Sequence, residues 1–326
     1  MNERPDRTGA PGGPQAPRPA PVHTVTPAGH GIPVSLRHVL RGALVAVEGG
    51  LRRGGALEEI RRETGRAVAR TLPGPAAARV GDSLERLHLH ADTEQITAIR
   101  TDLETRLRPL AEAVLRDVAR ALEPQGARLY LGGHLGIRVM PPQRSLAGGA
   151  PSGLEGFLTP RDAHVDSWFN TAVNSVNLWM AVGPVRRGNG LVFYPDAYHR
   201  RPRHDGRHTL VPGQHTGPPM DIELGAGDIL FFAGDHLHAS QPNTTDETRF
   251  VITKRLCLGP PRYPRHATGW VPYEDPRLLG GPLEPLAALR SRLTAGGVRD
   301  LLRAWPRRGL PRRSGRSGPA AAGRAR

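Results

Sequence analysis

The stretch MDIELGAGDILFFAG, residues Met220–Gly234, decides how this chain is read. Two short apolar runs flank the turn-forming residues Gly225 to Asp228, the pattern of consecutive strands rather than of a helix. Asp228 suits the turn that leads into the second run. Outward from there, ARLYLGGHLGIRVMPP (127–142), NSVNLWMAVGPV (174–185), GLVFYP (190–195) and TRFVITKRLCLG (248–259) read the same way. No helical pattern separates them, so the strand–helix alternation of a dinucleotide fold is not expected. GNG at 188–190 therefore reads as a hairpin turn, not a phosphate loop.

Upstream the period changes. Residues from Pro33 to Leu72 turn helical, with GALEEIRRETGRAVARTL (55–72) placing apolar residues at helical spacing. A stronger helix is expected from Thr93 to Leu122. There Ile96, Ile99, Leu103, Leu107, Leu110, Val114, Leu115, Val118 and Leu122 recur at steps of mostly three and four, a stripe that packs on a core. LEPLAALRSRLTAGGVRDLLRAW (283–305) reads as a further helix pair, broken at Gly296 and Gly297. Helices followed by short strands predict an α+β protein, or a β-sandwich with helices on one face. Residues 1–32 are Pro/Gly-rich without periodicity and read as a disordered tail. Residues 33–304 read as the folded part, and 305–326 as a disordered Arg-rich tail.

Composition narrows the function classes. No apolar run approaches the ~18–20 residues of a membrane-spanning helix. The N-terminus lacks the apolar core of a signal peptide, so a soluble cytoplasmic protein is expected. A single cysteine, Cys257, excludes an internal disulfide and a multi-cysteine zinc site. The net charge of +15 invites a polyanionic partner, but from Leu301 onward eight arginines face no acidic residue, so about half of the excess sits on the tail. Nucleic acid is thus not the expected partner, and no nucleic-acid module is recognisable. Lys254 is the sole lysine; that bias toward Arg, with 40 Gly and 33 Pro, suggests coding from a GC-rich genome. Nothing in the sequence sets the oligomeric state.

The chemistry gathers in two places. In TPRDAHVDSWFN (159–170), His164 and Asp166 stand two positions apart. Placed where a loop enters a strand, they project from one face. GDHLHASQPNTTDETR (234–249) adds His236 and His238, each a possible distal ligand. Two histidines and one carboxylate on one face of a divalent metal leave coordination positions open. Arg249, eleven positions after His238, offers a fork for bidentate capture of a carboxylate.

H-x-D, a distal His, ten residues and an Arg together resemble the Fe(II)/2-oxoglutarate-dependent dioxygenases, closest to the phytanoyl-CoA dioxygenase-like branch. HVDSWF, VNLWMAVGPVRRGNGLVFYPDAYH, GDILFFAGDHLHAS and QPNTTDETRF carry the resemblance, over roughly Leu129 to Leu258. Trp179, Asn189, Gly190, Pro195 and His199 follow the order of that family's Trp-containing strand, turn, apolar strand and PGSH-like segment. The resemblance implies a double-stranded β-helix (jelly-roll) core with the N-terminal helices packed on one face. It implies Fe(II) on His164, Asp166 and His238, since only His238 sets the family's spacing to Arg249. Arg249 and Ser240 would hold the distal carboxylate of 2-oxoglutarate, with Trp179 walling its pocket and Arg138 contacting cosubstrate or substrate. Trp168, Phe169, Asn170 and Asn174 would line the mouth, and His236 would face the substrate or stand behind the ligands.

The resemblance further implies oxidation of a small molecule by Fe(II), 2-oxoglutarate and O2. Related halogenases lack the carboxylate, so Asp166 favours hydroxylation or a kindred oxidation over halogenation; desaturation, ring closure and demethylation stay open. With the composition, it suggests tailoring in specialised (natural-product) metabolism. Two other classes compete: a cupin-like metal-binding module without oxygenase activity, which has no use for Arg249, and a polyanion-binding protein acting through its tail.

Overall fold

The computed structural model describes residues 22–25 and 35–275, apart from 82, 123–127, 147–152, 199, 201, 207, 265–266 and 268–270. The expected helix pair at 283–305 and the Arg-rich tail lie outside the described residues.

Five helices precede most of the sheet: α1 (Leu36–Val39), α2 (Ala56–Thr71), α3 (Gly74–Val80), α4 (Thr93–Arg106) and α5 (Arg108–Leu122). The strands are β1 (Val22–Val25), β2 (Leu44–Val47), β3 (Leu129–Gly132), β4 (Gly136–Met140), β5 (Arg161–His164), β6 (Ser175–Ala181), β7 (Leu191–Phe193), β8 (Met220–Asp221), β9 (Ile229–Ala233), β10 (His238–Ser240), β11 (Arg249–Leu258) and β12 (Tyr273–Glu274). They form two sheets. The larger runs β1-β2-β9-β6-β11-β3-β12, with β4 also on β11; the smaller runs β5-β10-β7-β8.

Side-chain alternation divides the core into two layers. Val176, Leu178 and Met180 of β6, with Phe250, Ile252 and Leu256 of β11, face out to meet Ile60, Ile99, Leu103 and Leu115 of the helices. Trp179 and Ala181, with Leu230, Phe232 and Val251, face in and meet Leu191 and Phe193 of the smaller sheet. Each buried Val, Leu, Ile, Phe or Met among them contributes roughly 1.5–3 kcal/mol relative to exposure. The result is a two-sheet sandwich with helices on one outer face, which is the α+β architecture expected. Lys254 points to the helix side, buried, and its Nζ donates to Glu112 Oε1 at 2.8 Å.

Four sequence expectations are corrected. The helix over 93–122 is two helices: Pro109, lacking an N–H and crowding the carbonyl four residues back, breaks the run at Leu107. Asp92 and Gln95 close a capping box at the start of α4 (Gln95 N–H to Asp92 Oδ1, 2.8 Å). Within the region read as helical from Pro33, Leu44–Val47 forms β2 instead; all four residues are buried, so no period-two alternation marks them. The GNG segment turns the chain from β6 to β7, which belong to different sheets, so it is a turn between sheets and not a hairpin. Within the stretch read as an N-terminal tail, Val22–Val25 pairs in parallel with β2. No helix among the described residues is long and apolar enough to cross a membrane.

Candidate metal centre and cosubstrate pocket

The smaller sheet brings the two motifs together. His164, last residue of β5, is the register partner of His238, first residue of β10, and their rings lie 4.4 Å apart. Asp166 opens the 3-10 turn Asp166–Phe169, so the H-x-D pair straddles the end of a strand rather than its start. The Asp166 N–H donates to the Gly234 carbonyl at 2.8 Å. A Cβ on Gly234 would lie 2.6 Å from Ser175 Oγ, so a larger residue there would displace that hydroxyl. One ligand atom from each of His164, Asp166 and His238 falls within 4.8 Å of the others, and all three residues are buried.

Both imidazoles are prepared as ligands. His164 Nδ1 donates to the Asp162 carbonyl (2.7 Å) and His238 Nδ1 to the His236 carbonyl (2.9 Å). A carbonyl only accepts, so Nδ1 carries the proton and each Nε2 keeps its lone pair for the site. Burial, then the neighbouring His238, holds His164 down to a pKa of about 3, and burial likewise lowers His238. Burial alone would raise the Asp166 carboxyl. Arg255 beside it, then the two histidines, overcome that and hold it well below the usual carboxylate range. Asn177 donates to Asp166 Oδ2 at 2.6 Å, and Arg255 Nη2 lies 3.1 Å from the same oxygen.

Arg249 supplies the second element. It is fully buried at the start of β11, and Nη1 donates to the Asn189 carbonyl at 2.6 Å. Its guanidinium lies 5.3 Å from the Trp179 ring centroid. Among the described residues Nε and Nη2 have no partner, and no carboxylate pairs with the group. Burial, then Arg138, lowers its pKa to about 9, so it stays cationic at neutral pH. A buried cation with open donors is costly unless an anion completes it. Ser240 Oγ accepts the Arg161 N–H at 2.7 Å, leaving its hydroxyl proton to donate into the same pocket.

Residues 44–251 match the phytanoyl-CoA dioxygenase (PhyH) family. The chain belongs to the phytanoyl-CoA dioxygenase family. It is accordingly a non-haem Fe(II)/2-oxoglutarate-dependent oxygenase, with O2 as co-reactant, and the sandwich is the jelly-roll expected. Among solved structures, the 2-oxoglutarate-dependent epimerase SnoN from nogalamycin biosynthesis is similar at 19% identity and TM-score 0.42, over 71% of this chain and 87% of that one. AviO1 from Streptomyces viridochromogenes Tue57 is similar at 17% identity and TM-score 0.34, over 48% and 63%. The carbocyclase SnoK, also from nogalamycin biosynthesis, reaches 15% identity and TM-score 0.30, over 59% and 66%. No curated protein matches.

Within this phytanoyl-CoA dioxygenase family member the other expected residues separate into two groups. Arg138, Trp179, Ser240 and Arg249 line the pocket with the three potential ligands. Phe169 stands at its edge, its ring 5.3 Å from that of His164 and 4.5 Å from that of His208. The rest are not among the residues that line this pocket. Asn174 donates to the carbonyls of Leu258 and Pro260 and accepts the Arg262 N–H, so its amide is committed to pinning that loop. Asn170 ends the 3-10 turn in the left-handed region (φ 62°). Trp168 packs with Val165, Ala197 and Leu237. His236 precedes β10, so strand alternation does not carry it to the face of His238; its Nε2 lies 3.1 Å from the Gly42 carbonyl and its ring 4.4 Å from Tyr198.

Sequence reading missed Asn177, Arg255, Arg161 and Asn189 as contributors. A signal existed for two of them. Asn177 stands two before Trp179 and Arg255 six after Arg249, even spacings that put each on the pocket face of its strand.

Proposed function

We propose that His164, Asp166 and His238 hold Fe(II), that Arg249 and Ser240 hold the distal carboxylate of 2-oxoglutarate, and that the reaction hydroxylates, or otherwise oxidises, a small molecule of specialised metabolism. The observation that carries this reading is the pairing of a buried His-Asp-His face with a buried arginine whose Nε and Nη2 lack partners. The donor set fits the metal: two neutral imidazoles and one carboxylate would hold a divalent iron and leave positions open for cosubstrate and oxygen. When bound, the iron supplies the redox chemistry by which 2-oxoglutarate is decarboxylated to succinate and the substrate oxidised.

The chain's own residues do the rest. The Asp162 and His236 carbonyls fix the tautomers. Asn177 and Arg255 engage Oδ2 of Asp166 and leave Oδ1 toward the metal position, 3.8 Å from His164 Nε2. Trp179, Phe232 and Leu191 wall the pocket and limit water. Asp166 fills the position a halide would need, which supports oxygenation over halogenation.

The test is titration of 2-oxoglutarate into the anaerobic Fe(II)-protein. A visible charge-transfer band that Arg249→Ala weakens is expected. Metal binding with no band would favour the cupin-like alternative and sink this reading.

A further inference from the structure

We propose that Arg138 and Arg161 form an oxyanion-binding subsite for the substrate, so that the molecule oxidised carries a carboxylate, phosphate or sulfate group. The proposal rests on the iron and cosubstrate assignment above.

The pocket holds four arginines, Arg138, Arg161, Arg249 and Arg255, against a single carboxylate, Asp166. Asp166 is matched by Arg255. A divalent cation and a dianionic cosubstrate would cancel and leave Arg249, Arg138 and Arg161 as excess positive charge, of which Arg249 has the distal carboxylate to pair with. Arg138 and Arg161 are left over. Neither forms an ion pair with any carboxylate among the described residues.

These two guanidinium groups are held side by side. Arg138 Nη1 donates to the Gly156 carbonyl, and Arg161 Nε and Nη2 donate to the adjacent Glu155 carbonyl at 3.3 and 2.9 Å. A Cβ added to Gly156 would lie 2.9 Å from Arg138 Nη1 and 3.1 Å from Arg161 Nε. Gly156 (φ 78°) therefore leaves the space in which the two groups meet. Aromatic rings hold their planes: Arg138 lies 5.3 Å from the Phe157 centroid and Arg161 5.1 Å from that of Phe169. Arg138 Nε is buried without a partner among the described residues.

Two cations held this close repel each other unless an anion sits between them, and burial strengthens the repulsion. Burial, then Arg255, already lowers Arg138 to about 10. Fork geometry, unmatched charge and an open buried donor suit an oxyanion presented beside the iron position, on the side of Phe169 and His164. About half of the arginine excess of the whole chain sits on its tail; this pair belongs to the part that faces the chemistry.

The test uses inorganic sulfate as probe, exchanged for chloride at constant ionic strength so that general screening does not change. The side-chain Nε–H resonances of Arg138 and Arg161 are followed in the metal-free full chain and in its anaerobic Fe(II)/2-oxoglutarate complex. Saturable shifts of both are expected, with sulfate affinity weakened about tenfold or more by Arg161→Gln and by Arg138→Gln, the scale of a lost charge-assisted hydrogen bond. Affinity for 2-oxoglutarate, read from the charge-transfer band, should stay within about twofold in Arg161→Gln. Arg161 lies half-exposed on β5, an outer strand of the smaller sheet, so its variant keeps the test open if Arg138→Gln fails to fold. Unchanged sulfate affinity in Arg161→Gln, or a parallel loss of 2-oxoglutarate affinity, overturns the proposal. Sulfate binding through both arginines with no charge-transfer band in the wild type would instead remove the cosubstrate reading and leave the subsite standing.

Discussion

Arg255 holds Asp166: Nη2 and Nε lie 3.1 and 3.3 Å from Oδ2, while Oδ1 lies 3.8 Å from His164 Nε2. Arg255 also donates to Asn177 Oδ1 at 2.8 Å, so one guanidinium orients both the carboxylate and the amide that touches it. Arg255→Met should therefore weaken Fe(II) binding by about 10–100-fold, the usual cost of losing a ligand's hydrogen-bonded support. Competition with a chelator measures this. An unchanged metal affinity would show that Asp166 is oriented without Arg255.

Removing a ligand should be harsher. His164→Ala, Asp166→Ala and His238→Ala each leave two donors of the three, and each should abolish 2-oxoglutarate-dependent succinate formation. His236→Ala should retain Fe(II) binding, because that ring packs against Tyr198 and the Gly42 carbonyl. Full activity in His238→Ala would transfer the ligand role elsewhere.

Arg249→Lys should not rescue Arg249→Ala. A lysine ammonium cannot reproduce a planar fork that reaches the Asn189 carbonyl and a carboxylate together. Either change should raise the 2-oxoglutarate Kd by about 10–100-fold, from about 1.5–3 kcal/mol of charged hydrogen bonding. Equal affinity in the lysine variant would argue for point-charge attraction alone.

Acid should destabilise the metal-free protein early. His164 is neutral when folded down to a pKa of about 3, whereas an unfolded histidine protonates near 6.5. Between those values the unfolded state binds more protons, so stability falls as pH falls, by about 1.4 kcal/mol per pH unit for each such histidine. His238 shifts in the same direction. Urea unfolding at pH 7, 6 and 5 reads the slope, and His238→Gln should make it shallower. A slope unchanged by that substitution would place the proton uptake elsewhere.

The buried Lys254–Glu112 pair ties β11 to α5 (2.8 Å). Glu112→Ala leaves the ammonium buried and unpaired and should cost about 3–5 kcal/mol. Thermal unfolding checks it; a loss below about 1 kcal/mol would mean that water reaches Nζ.

Legibility of the fold followed local pattern. Met220–Gly234 and Thr248–Gly259 read as strands because β-rich runs bounded by turn residues are a local property. Leu44–Val47 was opaque because a central strand covered on both faces shows only an apolar run. Pro109 was legible in principle, since its effect on the helix is local, yet the uninterrupted apolar stripe through Leu107 and Leu110 masked it.

By itself the sequence determined the ligand types, their spacing to Arg249 and the succession of helices and strands, all of which depend on neighbours along the chain. The tertiary structure decided the rest. Pairing of β5 with β10 set His164 against His238, and the Asp162 and His236 carbonyls chose which nitrogen each offers. Folding also separated Asn174 and His236 from the pocket and brought Arg138, Arg161 and Arg255 into it. Charge balance in a buried site is a sum over groups distant in sequence, and only packing sets which groups enter that sum.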